Sequence, residues 1–167
     1  EARSCPTMPM NPGASPHWGI STLCAAPPAL PWPELYRGIV EQTTEALVFA
    51  DRAGAIRVWN RGAEALFGWS GAEALGRSLD LIVPERLRAA HWAGYRRAIA
   101  QGRTQHGGQI RTTRALHRDG SRLYVDMSFG LVLGRDGSVL GSMALARDAS
   151  ARRALEEELR AWRGADG

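Results

Sequence analysis

A long run of alternating side chains between two Asp-Gly turns constrains the fold more than any other feature of the chain. This segment, RLYVDMSFGLVL at residues 122–133, follows the turn HRDGS and precedes the turn GRDGS and the run VLGSMALARD. Side chains of a β-strand point alternately to the two faces of a sheet, so one face of the segment is predicted to be buried. That face carries Leu123, Val125, Met127, Phe129 and Leu131. With the run GGQIRTTRALH at residues 107–117, the pattern predicts three antiparallel strands.

Shorter elements come earlier in the chain. ALVFAD and AIRVWN flank the turn DRAG and predict a β-hairpin, in which Ile56 and Val58 alternate with polar neighbours. ELYRGIVEQTTE, before this hairpin, predicts a short helix, and RGAEALFGWSGAEALGRSL, after it, predicts helical pieces that break at Gly68 and Gly76. Two strands, several short helices, one long helix and three antiparallel strands predict an α+β domain.

The long helix is predicted for VPERLRAAHWAGYRRAIAQG, residues 83–102. Pro84 suits the first helical turn and Gly102 suits the end. Helical spacing places one set of residues on a single face: Leu87, His91, Gly94, Tyr95, Ala98 and Ile99. His91 therefore lies in the middle of an apolar stripe. Periodicity alone leaves two interpretations open, a core histidine bonded to a backbone carbonyl or a ligand of a bound group.

Composition divides the chain into three parts. Residues 1–33 hold most of the prolines without an apolar period and predict a flexible leader. Residues 34–148 carry the periodic elements and predict one sensor domain. Residues 149–167 predict an amphipathic linker helix toward an output domain outside this chain, with Leu155, Leu159 and Trp162 at helical spacing.

Several functional classes are disfavoured by composition. The net charge is +4, but all 21 basic residues are arginines scattered along the chain, which favours a solvated surface over a nucleic-acid site. The lack of lysine excludes a Schiff-base enzyme and a P-loop. Paired carboxylates, a nucleophile elbow and a metal cluster are also missing from the sequence, so we expect no catalysis. Without an apolar run of ~20 residues or a clear signal peptide, we expect a cytoplasmic protein with no membrane partner.

The segment NRGAEALFGWSGAEALGRSL, residues 60–79, resembles the corresponding segment of PAS domains. RDGS before a strand and ARDAS before an exit helix are equally typical of this family, and the resemblance covers about residues 34–150. It implies a five-stranded antiparallel sheet, short helices, one long helix packed on one face and a C-terminal signalling helix. PAS domains bind haem, flavins, small acids or nothing, so the fold alone does not give the function.

The positions of the cysteines exclude two kinds of PAS chemistry. Blue-light PAS domains of the LOV type, and domains of the photoactive-yellow-protein type, need a cysteine in the domain to bond their chromophore. Both cysteines of this chain, Cys5 and Cys24, lie in the leader, and residues 25–167 contain none. Neither covalent chemistry is therefore possible in the predicted domain.

The run PERLRAAH, residues 84–91, resembles the segment that carries the proximal haem ligand in oxygen-sensing PAS domains of the FixL and direct-oxygen-sensor families. The resemblance implies that His91 is the iron ligand and that the cofactor is haem b, iron protoporphyrin IX. On the same register, Arg111 matches the distal arginine and Arg97 matches an arginine that holds a haem propionate. We also assign Tyr95, on the apolar stripe of the helix, to the cofactor pocket.

The distal side of this implied pocket combines family-like and unusual positions. Met127 and Phe129 fall on the distal apolar positions. Gln109 replaces a methionine that serves as sixth ligand in the direct-oxygen-sensor type. His106 replaces an aliphatic residue, and three roles are open to it: a hydrogen bond to a bound gas, a sixth ligand, or a solvent-facing side chain.

The resemblance implies a haem-based gas sensor that acts as the input module of a signalling protein. Oxygen is the expected ligand, with carbon monoxide or nitric oxide as further ligands, and a homodimer is expected. Two alternatives are a haem-free PAS module for dimerisation or small-ligand binding, and a PAS domain that binds flavin non-covalently for redox sensing.

Overall fold

The computed structural model describes residues 31–104 and 108–165 of the chain. The order of elements matches the sequence prediction. The helices are α1 Trp32–Gln42, α2 Arg61–Phe67, α3 Gly71–Ala74, α4 Glu85–Gln101 and α5 Ser150–Ala165, with a 3-10 turn at Leu79–Leu81. The strands are β1 Ala46–Asp51, β2 Ile56–Trp59, β3 Arg111–Leu116, β4 Arg122–Leu133 and β5 Val139–Asp148.

The strands form one five-stranded antiparallel sheet in the order β2-β1-β5-β4-β3. In this sheet Met127 of β4 lies opposite Arg111 of β3 and Ala146 of β5, so the three residues share one face. Val125 and Met127, two of the residues predicted for the inner face of β4, are buried on it. The predicted α+β architecture is thereby confirmed.

Several element boundaries differ from the prediction, and two of them have a clear local cause. The first helix begins at Trp32, inside the predicted leader, because Pro33 fits the first turn of a helix, where its missing N–H has no partner to lose. β3 begins only at Arg111, because Gly108 has a φ of 74°, which a strand does not accommodate. β4 and β5 begin and end at the predicted residues.

The side chain of Asn60, fully buried, ties the first part of the chain together. Its Oδ1 accepts hydrogen bonds from the backbone N–H groups of Leu47 and Ala63, at 2.8 and 2.9 Å, and so caps α2. Its Nδ2 donates to the carbonyls of Val40 and Glu45, at 2.9 and 3.0 Å. Asn60, which opens the segment used for the family resemblance, therefore joins α1, β1 and α2.

The C-terminal helix α5 is attached to the outer face of the sheet near its start. Arg152 donates to both carboxylate oxygens of Asp126 on β4, at 2.8 and 2.9 Å, and Tyr124 donates its backbone N–H to the Ser150 hydroxyl at 3.2 Å. Farther along, α5 carries exposed apolar side chains.

Across the described residues, no helix combines the length and the apolar character that a membrane crossing requires.

Candidate functional site

Two adjoining hollows lie between α4 and the inner face of the sheet. Their cavity volumes are about 130 and 480 Å³. Both are lined by Leu87, His91, Tyr95, Thr113, Phe129 and Ser142. The smaller hollow reaches toward β1 and the 3-10 turn, and the larger one opens between α4 and the starts of β3 and β5. Their combined size is in the range of small-molecule and cofactor sites.

The predicted apolar stripe of α4 is the face that lines the larger hollow. All six stripe residues belong to its lining, together with Ala90. A side chain added at Gly94 would meet no atom within 4 Å, so the glycine leaves open space beside the helix. Tyr95 is the only residue of α4 that is buried. α4 therefore stands away from the sheet over a hollow rather than packing closely against it.

His91 is half-buried at the boundary of the two hollows. Within the described residues, its buried Nδ1 has no hydrogen-bond partner. The structure thus lacks, at Nδ1, the carbonyl contact that a structural core histidine would make. Burial lowers the pKa of His91, and the negative charge of Asp80 partly offsets this effect. The imidazole is therefore neutral at neutral pH, which is the form that binds a metal.

Tyr95 fixes the middle of α4 to β1. Its hydroxyl lies 3.1 Å from the carbonyl oxygen of Ala50 and 2.5 Å from that of Asp51, so it donates into the end of β1. Burial and the nearby Asp51 carboxylate raise the pKa of Tyr95 to about 12. The phenol ring lines both hollows, while the hydroxyl is committed to this anchor.

We predict that Tyr95→Phe loses about 1 kcal/mol of folding free energy, because the two carbonyls lose their donor while the ring remains. The neutral phenol is needed for this bond, and its pKa rises from an ordinary value of 10.0 to about 12 on folding. The contribution is thus fully present below pH 10 and is lost as the pH rises toward 12. Urea unfolding of both proteins from pH 7 to pH 11 measures the difference. A gap between them that stays constant above pH 10 would contradict the assignment.

The opposite wall of the site comes from the inner faces of β3 and β4. Met127 is 8% exposed and lines the smaller hollow, and Phe129 is 40% exposed and lines both. Arg111 lies opposite Met127 in the β3–β4 register and lines the larger hollow. Among the described residues, no ion pair involves Arg111. Gln109, just before β3, also belongs to this lining.

One predicted site residue, Arg97, is not brought into the hollows, and another, His106, cannot be placed relative to them. Arg97 is exposed on α4 and lines neither hollow, because it lies two residues beyond Tyr95 and off the apolar stripe. His106 lies outside the described residues. The propionate role of Arg97 and the roles considered for His106 stay predictions.

Sequence reasoning did not identify two hydroxyl groups of the site. Thr113 and Ser142 line both hollows. Thr113 follows Arg111 by two positions and therefore shares its face of β3, and Ser142 alternates with Ala144 and Ala146 on β5. Strand alternation could have found both. They add weak polar groups to an otherwise apolar lining.

The side chains of the site suit a metal whose other ligands come from its own cofactor. In the part of the chain that is described, no group of three or more His, Cys, Asp or Glu side chains could hold a bare metal ion. His91, whose Nδ1 has no hydrogen-bond partner among the described residues, lies beside an apolar hollow and so matches the needs of haem, an apolar disc with one open iron valence. The residues present therefore fit a haem.

Comparison with known proteins identifies the family from the sequence and the fold from solved structures. A family model described as the PAS fold matches residues 34–149. Among solved structures, a PAS domain from Colwellia psychrerythraea aligns with a TM-score of 0.63 at 21% identity and covers 72% of this chain and 98% of that one. An RNA-binding light-oxygen-voltage receptor aligns with a TM-score of 0.64 at 20% identity, over 87% of this chain and 41% of that one. At these identities the structures show the fold alone.

Two relatives have names that describe a sensory role. The chain is 29% identical over 121 residues to the oxygen sensor protein DosP of Escherichia coli, an alignment that covers 72% of this chain and 15% of DosP. It is 30% identical over 94 residues to the sensor protein FixL of Bradyrhizobium diazoefficiens, with 56% of this chain and 19% of FixL covered. The chain thus spans less than a fifth of the length of either relative.

Proposed function

The chain belongs to the PAS family, whose domains are sensory modules, and we propose that it is a haem-based oxygen sensor, the input module of a longer signalling protein. In this proposal residues 34–148 form the sensor domain, residues 1–33 a leader, and residues 149–167 the link to an output domain. A cytoplasmic location and the absence of catalysis by this chain belong to the same proposal. Similarity to DosP and FixL supports it at about 30% identity.

One observation carries the proposal. His91 presents an uncharged imidazole from the apolar face of α4 to a hollow, and its buried Nδ1 has no hydrogen-bond partner among the described residues. An unsatisfied buried polar atom is costly, so a native structure tends to have a reason for retaining one. A metal bound at Nδ1 would supply that reason, whereas binding at Nε2 would leave Nδ1 unpaired among the described residues.

When bound, haem supplies an iron whose free side takes up a diatomic gas. His91 would hold the iron, and Met127, Phe129 and the ring of Tyr95 would wall the apolar disc. Arg111 would donate a charged hydrogen bond to a gas ligand with partial negative charge, a contribution of roughly 1.5–3 kcal/mol. Dioxygen develops such a charge and carbon monoxide does little, so this residue would favour oxygen.

Other predicted residues complete the proposed site. Gln109 would stand beside Arg111 as a second donor at the distal side. His106 would act there as a donor, as a sixth ligand, or not at all. Arg97, which is exposed on α4, would reach a propionate at the rim.

Exposure of the ferrous, haem-loaded protein to oxygen tests the proposed function. We expect a reversible change of the absorption spectrum to an oxygenated form, with carbon monoxide and nitric oxide also binding. Removal of oxygen under argon should restore the first spectrum. A loaded protein whose spectrum is unaffected by all three gases would contradict a gas-sensing role.

We propose that the protein is a homodimer to which α5 contributes. In a single chain the apolar side chains of this helix are largely uncovered, with 57% of Leu155, 48% of Leu159 and 69% of Trp162 exposed. They recur at coiled-coil spacing, but three of them are too few to hold a dimer alone. The sensor domain or α1, whose Trp32, Tyr36 and Ile39 are also more than half exposed, must contribute the rest.

Truncation after Asp148 is expected to weaken the dimer several-fold, because it removes the apolar stripe of α5 from the interface. Sedimentation equilibrium of the full chain and of the truncated chain measures the association constant. Arg160→Ala, an exposed change on the same helix, is the matched control and should leave the constant within about twofold. An unchanged association constant after truncation would argue against a role for α5.

A further inference from the structure

The first half of α4 is tied to the rest of the domain through Asp80 in the 3-10 turn. Trp92 donates its indole N–H to Oδ1 of Asp80 at 2.8 Å. Arg88 donates to the backbone carbonyl of Asp80 at 3.1 Å, and its Nε lies 3.6 Å from Oδ1. We call Asp80, Arg88 and Trp92 the Asp80 clamp. It grips α4 on both sides of His91, three residues before it and one residue after it.

The clamp is fixed at its other end. Asp80 belongs to the turn Leu79–Leu81, where its backbone N–H bonds the Ser78 hydroxyl at 3.1 Å and Leu79 packs into the core. The ring of Trp92 lies directly on Gly54, in the β1–β2 turn, where no Cβ would fit and where the φ is 84°. Trp92 is thus confined between the hairpin turn and the Asp80 carboxylate. It lines neither hollow, so it acts on the site only through its neighbours.

His91 depends on such neighbours because no hydrogen bond directs its Nδ1 within the described residues. Its ring meets the ring of Trp92 edge-on at a centroid distance of 5.1 Å and lies 6.0 Å from the ring of Tyr95. Side chains occupy one of a few staggered rotamers. Because no hydrogen bond among the described residues fixes the rotamer of His91 at Nδ1, packing against its neighbours must fix it. Tyr95 is anchored to β1, whereas Trp92 is anchored by Asp80.

We propose that Asp80 is the positioning residue of the site: by holding Trp92 and Arg88 it fixes the direction in which His91 presents its imidazole to the hollow. The inference rests on the proposed function in that the positioned imidazole is the ligand of the cofactor. It predicts that loss of the clamp leaves the hollow intact but lets the imidazole occupy more than one rotamer. Ligation would then become slower to form and quicker to break.

Nuclear magnetic resonance of the full chain without cofactor tests the clamp itself. In Asp80→Ala, the indole N–H signal of Trp92 should move upfield, and the His91 ring should lose its contacts to Trp92 and average between rotamers. Asp80→Asn keeps an acceptor oxygen and should preserve the wild-type pattern. Trp92→Phe removes the donor and the part of the ring that lies on Gly54, and it should reproduce the loosening of His91, which keeps the test valid if Asp80→Ala folds poorly. An unchanged His91 ring in both Asp80→Ala and Trp92→Phe would overturn the inference.

The haem-loaded proteins provide an independent readout. Asp80→Ala should broaden and shift the iron–histidine stretching band of the ferrous protein. It should also speed haem dissociation about fivefold, because the His91 side chain would have to be ordered each time the ligand bond forms. Glu73→Ala, which removes an exposed carboxylate from α3 that bonds Ser70, is the control and should change neither. A wild type that takes up no haem would contradict the proposed function. The nuclear magnetic resonance spectra of the cofactor-free proteins would still show whether Asp80 positions His91. A normal stretching band in Asp80→Ala, with full haem binding, would contradict the inference alone.

Discussion

Replacing His91 with alanine is expected to abolish stoichiometric haem binding while the domain stays folded. His91 is the imidazole on the apolar stripe of α4, and it lines both hollows. The substitution removes the iron ligand, so haem would keep only its apolar contacts and the propionate contact proposed for Arg97. The fold should lose little, because Nδ1 of the side chain makes no hydrogen bond among the described residues and the edge contact with Trp92 contributes only about 0.5–1.5 kcal/mol.

Haem titration followed by absorption, with far-ultraviolet circular dichroism as the check on folding, measures this effect. His117→Ala is the matched control, because His117 is a partly exposed histidine of the β3–β4 turn that pairs with Asp119 at 3.0 Å. Free imidazole added to His91→Ala should restore part of the binding, since the hollow remains and the missing ligand is returned. A His91→Ala protein with a full Soret band and unchanged axial ligation would refute the assignment.

Arg111→Ala is expected to weaken oxygen affinity about tenfold or more, a loss of roughly 1.4 kcal/mol or more, and to speed autoxidation. Arg111 lines the larger hollow from the face of β3 that also holds Thr113, and none of the ion pairs between described residues engages its guanidinium. Among the described residues, no ion pair competes for the hydrogen bond that Arg111 would donate to a gas ligand with partial negative charge. Carbon monoxide affinity should change little or rise, because a charged side chain no longer crowds the site.

Equilibrium titrations with both gases on wild type and variant measure the ratio of the two affinities. Gln109→Ala and His106→Ala are the competing variants, since either side chain could donate the same hydrogen bond. Equal oxygen affinities in wild type and Arg111→Ala, together with a large loss in one of the competitors, would transfer the role to that residue.

The sequence predicted those parts of the fold that follow from periodicity. Alternation in residues 122–133 predicted the inner face of β4, and the helical spacing around His91 predicted the face of α4 that lines the larger hollow. Both patterns are local, and burial of one apolar face is a strong physical requirement. The absence of cysteine from residues 25–167 likewise excludes covalent flavin chemistry in the domain.

Contacts that depend on how separate elements meet were not predictable. The bond from Trp92 to Asp80 joins α4 to a 3-10 turn, and its existence depends on the angle at which the helix leaves that turn. Nor does the sequence around Trp92 show that its ring lies on Gly54 in the β1–β2 turn. The starts of β3 and α1 also differ from the prediction, because Gly108 precedes the first and Pro33 lies in the first turn of the second.

Haem titration of the purified full chain, followed by absorption spectroscopy, tests the central claim most directly. The account predicts saturation at one haem per chain with a sharp Soret band, and a ferrous spectrum typical of histidine ligation. Absorption bands of bound flavin in the purified protein, or a chain that shows only the broad spectrum of loosely associated haem at every ratio, would contradict it.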